Sequence, residues 1–401
     1  MENIVTNNVG IEVNKTFKAT IGKKIITHII DGLFVLILGI ALFFVVCYPI
    51  LNNSSYVTFK EDKKENCDVM LTILNESKLA VYNDKTNALS TDESMYKVFI
   101  LQQIKYCYEI YPDEYKKDLD DDGYLSYVEK MEDVKVDSYD NNCLGYFYTE
   151  FIIGKLDKNN EVIVEYTKEE SKEYFLTQVI DCDKAGKDIF KCDDKNSLPR
   201  LTVDTCRYAF EYYVKGANYS TLRDLDSKFY NYFISLYKDA GDLLLRYSKY
   251  ETSFNNYEQL YSLINNINLL CIFLSFTISF VILMVLVPLL NKRRQTFSSM
   301  IFKVMYFDKK MNCNLCKTLI NSGLYYVLFF FVTFFMSLIF GNQLFNYTFL
   351  TIGLLTLKLI HLCGISLIIS LISIFVLAIS KSKNSLVEMI TKTDLYDITI
   401  S

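Results

Sequence analysis

The sequence contains no tryptophan, four prolines and two histidines among 401 residues. So few helix-breaking prolines leave the polar part of the chain leaning helical. His28 and His361 both stand in or beside long apolar runs, which excludes histidine-based catalysis in the polar part. A phosphate loop, a zincin helix, a G-x-S-x-G elbow and a dinucleotide fingerprint are all missing. No carboxylate pair stands out as a hydrolase site, so an enzyme is not expected. There is no repeat of solenoid period. No cleavable signal is expected either, because the first apolar run is too long and lacks a small-residue cleavage site.

What is present divides by charge. Residues 52–268 carry 27 Lys/Arg against 40 Asp/Glu, a net of −13, and the remainder carries 15 against 7, a net of +8. An acidic soluble domain is therefore joined to a basic, apolar remainder, and nucleic acid is not expected as a partner of either.

The organising stretch is residues 22–51. After Asp31 come twenty residues without a charge, enough to cross the hydrocarbon core as a helix. Lys24, His28 and Asp31 precede that run at i, i+4 and i+7, on one helical face. A carboxylate in hydrocarbon costs roughly 2.5–3.5 kcal/mol at the centre and less near the interface, so it is kept for a partner or a purpose. Two readings stay open: lysines snorkelling to set topology with Asp31 among headgroups, or a buried charge cluster. Further apolar runs span 269–290, 319–340 and 347–380. The last exceeds one crossing, so 344–357 is expected as an interfacial or re-entrant piece. Lys358 and His361 in it either snorkel outward or line a site.

Basic residues flank these runs at Lys15, Lys18, Lys23 and Lys24, in the loop 291–318, and in the tail 381–392. The positive-inside rule puts all of them in the cytosol with four crossings. The expected fold class is mainly α: a four-helix transmembrane bundle with a large, mostly helical extracytoplasmic domain inserted between helices 1 and 2. Its parts are 1–51 (polar tail and first helix), 52–268 (outer domain) and 269–401 (helices 2–4 and a cytosolic C-terminal tail). The expected location is a plasma membrane, with lipid as the surrounding partner. The Asn-, Lys-, Ile- and Tyr-rich usage suggests an AT-rich bacterial genome.

Within the outer domain, residues 118–129 read DLDDDGYLSYVE and match an EF-hand loop at its diagnostic positions. Asp118, Asp120 and Asp122 would converge on Ca2+, with Gly123 allowing the turn. Tyr124 would offer its carbonyl, Ser126 would ligate through water, and Glu129 would close the site with a bidentate carboxylate. The segment 157–168 is either a metal-free pairing partner or an ordinary hairpin. Six cysteines, at positions 67, 107, 143, 182, 192 and 206, permit three disulfides, and Cys182–Cys192 is the pair that proximity suggests. Cys313 and Cys316 form an isolated CxxC with no further zinc ligands nearby.

Several motifs together resemble the RDD family of membrane proteins. Lys24 and Asp31, seven apart at the start of the first helix, stand where that family carries an arginine and an aspartate. After the second run, Gln295, Thr296, Lys303 and Asp308 are similar to its cytosolic segment, with Ser298 replacing a glycine. Asn321 stands where the family's Arg-Asn pair ends, with Ile320 in the arginine position. In SLVEMITKT, Leu386, Glu388 and Thr393 follow its last motif, Glu388 in place of an aspartate. The resemblance covers about 15–51 and 265–398. It implies the membrane fold and, for some members, cation/proton antiport. The expectation is transport of a cation or small solute under a calcium-binding outer domain. Lys24, Asp31 and Glu388 would then form a clamp or a proton relay. The alternative is a surface receptor, adhesion or structural protein that binds an extracellular protein and transports nothing.

Overall fold

The computed structural model describes residues 4–6, 12–14, 18–80, 143–175, 200–213, 222–308, 314–340, 343–353 and 355–398, with short pieces within 82–115 and 179–191. The described chain is mainly helical. Strands β1 (Ile4–Thr6) and β2 (Glu12–Asn14) pair antiparallel. Helix α1 (Ile21–Leu42) is opened by Thr20, whose hydroxyl accepts the Lys23 N–H at 3.3 Å. There follow α2 (Ser54–Glu76), α3 (Val203–Tyr213), α4 (Leu222–Leu244) and α5 (Ser248–Phe280). Next come α6 (Phe297–Ile301), β3 (Val304–Asp308), α7 (Leu315–Phe329) and α8 (Val332–Ser337). The chain closes with the hairpin β4 (Thr348–Ile352) and β5 (Leu355–Lys358), then α9 (Leu359–Ile379), α10 (Leu386–Thr391) and β6 (Thr393–Asp397).

Two prolines shape the long helices. α1 continues through a π-helical turn, Phe43–Cys47, into Tyr48–Leu51, and α5 through another, Val281–Leu286, into Val287–Leu290. Each widened turn stands just ahead of a proline, Pro49 and Pro288. A proline ring crowds the carbonyl four residues back and offers no N–H, so the ladder shifts by one residue. The Tyr48 N–H accordingly bonds the Phe43 carbonyl, and the Val287 N–H bonds that of Ile282.

Among the described residues, three helices are long and apolar enough to cross a membrane: Ile21–Leu51, Ser248–Leu290 and Leu359–Ile379. Leu315–Phe329 and Val332–Phe340 reach that standard only as a pair, bent by 47°. These features mark a membrane protein. The helices also turn apolar residues outward, among them Ile29, Leu33, Leu371 and Phe375, as a lipid-facing surface requires.

The described chain forms two compact units, residues 1–60 with 260–401, and residues 61–259. In the first, Val35, Ile272, Phe276, Phe280, Phe329 and Met336 form the core. Small residues bring its helices close. A Cβ on Gly39 would lie 3.2 Å from the Met336 sulfur, so any larger residue would require that thioether to give by a few tenths of an ångström. Serine hydroxyls find carbonyls on neighbouring helices: Ser279 donates to Val35 O at 2.7 Å and Ser370 to Leu328 O at 2.7 Å. The second unit has its own core around Tyr115, Phe147, Phe175 and Phe233. There Tyr115 Oη donates to Leu201 O at 2.5 Å, and Glu114 pairs with Lys191 at 2.7 Å and Arg200 at 3.0 Å.

Several expectations are corrected. The polar stretch 1–21 carries the β1–β2 pair, and at its end Lys18 bridges Tyr396 and Ala19 is buried against β3 and β6. The second apolar run does not start a helix of its own: residues 200–268 read as long helices, the last able to run straight into it, and one helix does run on from Ser248. The third is not a single straight helix. The piece at 344–357 holds the β4–β5 hairpin, where Gly353 at φ +60° supplies the turn. The segment 157–168 opens with a tight turn closed by one antiparallel bridge, Leu156 to Val162, with no longer strand pair among the described residues. Asp157 Oδ1 accepts the Asn159 and Glu161 N–H groups and closes that turn. Cys67 and Cys107 are free thiols, so the three-bridge framework is not formed.

Candidate functional site

The buried stripe of α1 is Lys24, Thr27, Asp31, Val35 and Gly39, one residue per turn, with three polar side chains at its start. Lys24 and Glu388 are each 1% exposed and pair at 2.6 Å. Glu388 is aimed by a capping box. It is the third residue of α10, its Oε2 accepts the Ser385 N–H at 2.7 Å, and its own N–H reaches Ser385 Oγ at 3.3 Å. Its Oε1 also accepts the Leu395 N–H at 3.0 Å, and Lys24 Nζ donates to Lys383 O at 2.9 Å. Both charges are thus paired and hydrogen-bonded, the condition for burying an ion pair.

Strands β3 and β6 hold the same region together. They pair antiparallel from Thr393–Asp308 to Asp397–Val304, and Ala19 N–H adds a bond to Leu395 O at 2.9 Å. Lys18 pairs with Asp394 at 2.9 Å and Lys23 with Asp397 at 2.8 Å. Gln295, 4% exposed, donates to Val304 O at 2.7 Å, and Asp308 lies 3.7 Å from Lys317.

Asp31 does not join the Lys24–Glu388 pair. It is 4% exposed, and its Oδ2 accepts from Thr296 Oγ1 at 3.0 Å. Thr296 is itself the N-cap of α6, accepting the Ser299 N–H at 3.3 Å. No Lys or Arg stands within ion-pair distance of Asp31 among the described residues. His28 takes a third route: its Nε2 lies 2.9 Å from Tyr325 Oη, which lies 2.9 Å from Tyr306 Oη. Burial holds the Tyr306 hydroxyl well above its ordinary range, with Tyr325 and the Glu388 charge adding to the shift, so it stays a neutral donor.

Between these groups lies a cavity of about 30 Å³ walled by His28, Asp31, Gln295, Thr296, Asn321 and Tyr325. It has room for about one water molecule. His28 Nδ1 and Asn321 Oδ1 are buried there without a hydrogen-bond partner among the described residues. The arrangement offers a carboxylate, an imidazole, two phenols, two amides and the Arg294 guanidinium around one small space.

Of the four residues expected as a charge cluster, Lys24 and Glu388 meet, while Asp31 and His28 turn to Thr296 and Tyr325. The sequence reading missed Tyr306 and Tyr325 as partners. Asn321 and Tyr325, four apart on α7 with Ser322 between, carried a signal: three buried polar groups in an apolar helix. Lys358 and His361 stand apart from this site, at the start of α9, where the Lys358 N–H approaches His361 Nδ1 at 3.4 Å.

The expected calcium ligands Asp118, Asp120, Asp122, Tyr124, Ser126 and Glu129 lie outside the described residues, as do Cys182 and Cys192. Among the described residues, no group of three or more His, Cys, Asp or Glu could hold a metal ion. Comparisons with protein-family models, curated proteins and solved structures find no match to this chain.

Proposed function

We propose that this is a multi-pass membrane protein of RDD-like architecture that moves a cation or small solute in exchange for protons. In this reading the bent pair α7–α8 is one crossing. The bundle then has four spans, both termini lie in the cytosol, and residues 52–268 face outward. One observation carries the proposal. Lys24 and Glu388 meet, Asp31 meets Thr296, Gln295 braces β3, and Thr393 pairs with Asp308. Positions scattered over 370 residues of the resemblance thus converge on one end of one unit.

The Lys24–Glu388 pair, satisfied on all sides, is the structural clamp between the start of α1 and the C-terminal segment. Asp31, buried without a cationic partner among the described residues, is the group that exchanges its proton. His28, Tyr325 and Tyr306 form a hydrogen-bonded row beside it. The outer domain, with Ca2+ bound at residues 118–129, would regulate access. The separate core of the second unit favours a second reading, a membrane-anchored receptor whose outer domain does the work.

Flux measured in proteoliposomes under an imposed pH gradient separates the two. Flux that falls to the level of empty vesicles with Asp31→Asn is the expected result. Wild-type flux no greater than that of empty vesicles with either Na⁺ or K⁺ sinks the transport reading and leaves the receptor.

A further inference from the structure

A second, larger space lies beside the polar cavity. It is a groove of about 390 Å³ running along α1 from Ile25 to Leu36, with α7, α8 and α9 forming its other walls. The eleven helical rises from Ile25 to Leu36 make it about 16 Å long. Its volume is within the range of about 300–1,000 Å³ in which ligands are usually held. The lining is almost wholly apolar, and Ile29, Leu33, Phe335, Leu371 and Ile374 turn exposed hydrocarbon to it. Two of the three serines on the lining are occupied, Ser370 donating to Leu328 O and Ser385 capping α10, and the His28 ring lies at the end where the polar cavity begins. A polar ligand would find little to bond along this length.

The end of the groove near Leu377 and Ser385 is different. Between those two lining residues the chain presents Lys381 and Lys383, both exposed. Neither makes an ion pair among the described residues, whereas Lys18, Lys23 and Lys24 nearby are each matched to an acid. Lys383 holds a left-handed φ of +54° and its carbonyl is taken by Lys24 Nζ, which fixes the backbone between the two ammonium groups and the groove. The segment that joins two lining residues of the trough thus carries two exposed lysines with no ion pair among the described residues.

We propose that this groove seats one acyl chain of an anionic phospholipid, with the phosphate at Lys381 and Lys383. The site rests on the reading of the chain as a membrane protein but not on transport. Basic side chains at a membrane surface attract anionic headgroups. The concave trough turns that general attraction into a defined position, which a flat helix face cannot do.

The absence of tryptophan provides a clean reporter. Leu371→Trp, or Phe335→Trp should the first not fold, places a single indole in the groove of the full-length protein. Ile278→Trp, on an exposed face of α5 outside it, is the control. Each is reconstituted in vesicles with brominated phosphatidylglycerol or brominated phosphatidylcholine. The groove reporters are expected to favour the anionic lipid by about fivefold or more, the size one lysine supplies at an anionic surface. That preference should fall towards unity in K381Q/K383Q, and Ile278→Trp should show none. Equal quenching by the two lipids, or a preference that survives K381Q/K383Q, overturns the site. Extraction at alkaline pH tests the membrane reading separately. Release of the wild-type chain sinks that reading, while retention without lipid preference sinks the lipid site alone.

Discussion

The two units solve the same burial problem in opposite ways. The first encloses Lys24, Asp31, Glu388 and a set of serine and threonine hydroxyls, and turns isoleucine, leucine and phenylalanine outward. The second encloses tyrosine and phenylalanine and leaves its pairs, such as Lys191–Glu114, partly in solvent. In water, apolar burial drives folding and charges cost least at the surface. In hydrocarbon that gain vanishes, so polar groups are kept only where partners enclose them. The contrast in burial is the one that two different solvents would impose, and it assigns different weights to ion pairs that look alike on a distance list.

The sharpest way to break this comparison is to remove one acid from each unit. Glu388→Ala leaves Lys24 buried and unpaired, and a loss of about 3–5 kcal/mol is expected. Glu150→Ala in the second unit removes the acid beside Lys168, whose side chain stands mostly in solvent, and should cost no more than about 1 kcal/mol. Thermal release of buried thiols to a reactive dye reads both, because Cys47, Cys271 and Cys363 report on the first unit and Cys107 on the second. Equal losses would erase the distinction between the two solvents. Lys24→Met with Glu388→Gln should recover part of the single-mutant loss, since it removes both charges while keeping an acceptor for the backbone.

A smaller effect sharpens the picture inside the first unit. Tyr325→Phe deletes the hydroxyl between His28 and Tyr306 and should cost about 1–3 kcal/mol, because it leaves buried groups unmatched. The Cys107 signal of the second unit should not move. A loss within error would mean that a water molecule takes the hydroxyl's place.

The smallest effect is one of pH. The Lys191 hydrogen bond, with Arg200 added, holds Glu114 below its ordinary value of 4.5. A carboxylate with a lowered folded-state pKa stabilises fully above its unfolded value, and that contribution is lost as pH falls through the folded one. The second unit should therefore melt earlier as pH drops below 4.5, and Glu114→Gln should flatten that slope. A slope unchanged by Glu114→Gln would assign the acid sensitivity to other carboxylates.

Much of the site could be read in one dimension. Twenty uncharged residues behind Lys24, His28 and Asp31 fixed both the first helix and its polar face, since helical spacing alone decides which side chains share a side. S-L-V-E at 385–388 is a capping box legible on inspection, although its role in aiming Glu388 at a lysine was not. What escaped was pairing across distance. Nothing in the spacing tells Lys24 to choose Glu388, 364 positions away, over Asp31 one face-length along its own helix. Local hydrogen bonds and apolar periods are properties of short windows, whereas an ion pair depends on how several helices close on one another.

The sequence by itself determined the membrane-length helices, their basic flanks and the acidic character of the middle of the chain. Those follow from composition over windows of about 20 residues, the length that hydrocarbon thickness imposes. Tertiary structure alone decided that the cluster divides. Lys24 is matched to Glu388, Asp31 is left to Thr296, and His28 joins two tyrosines. The reason is that in a medium without water every buried donor and acceptor must find its partner within the fold, and only the packed geometry determines which one is in reach.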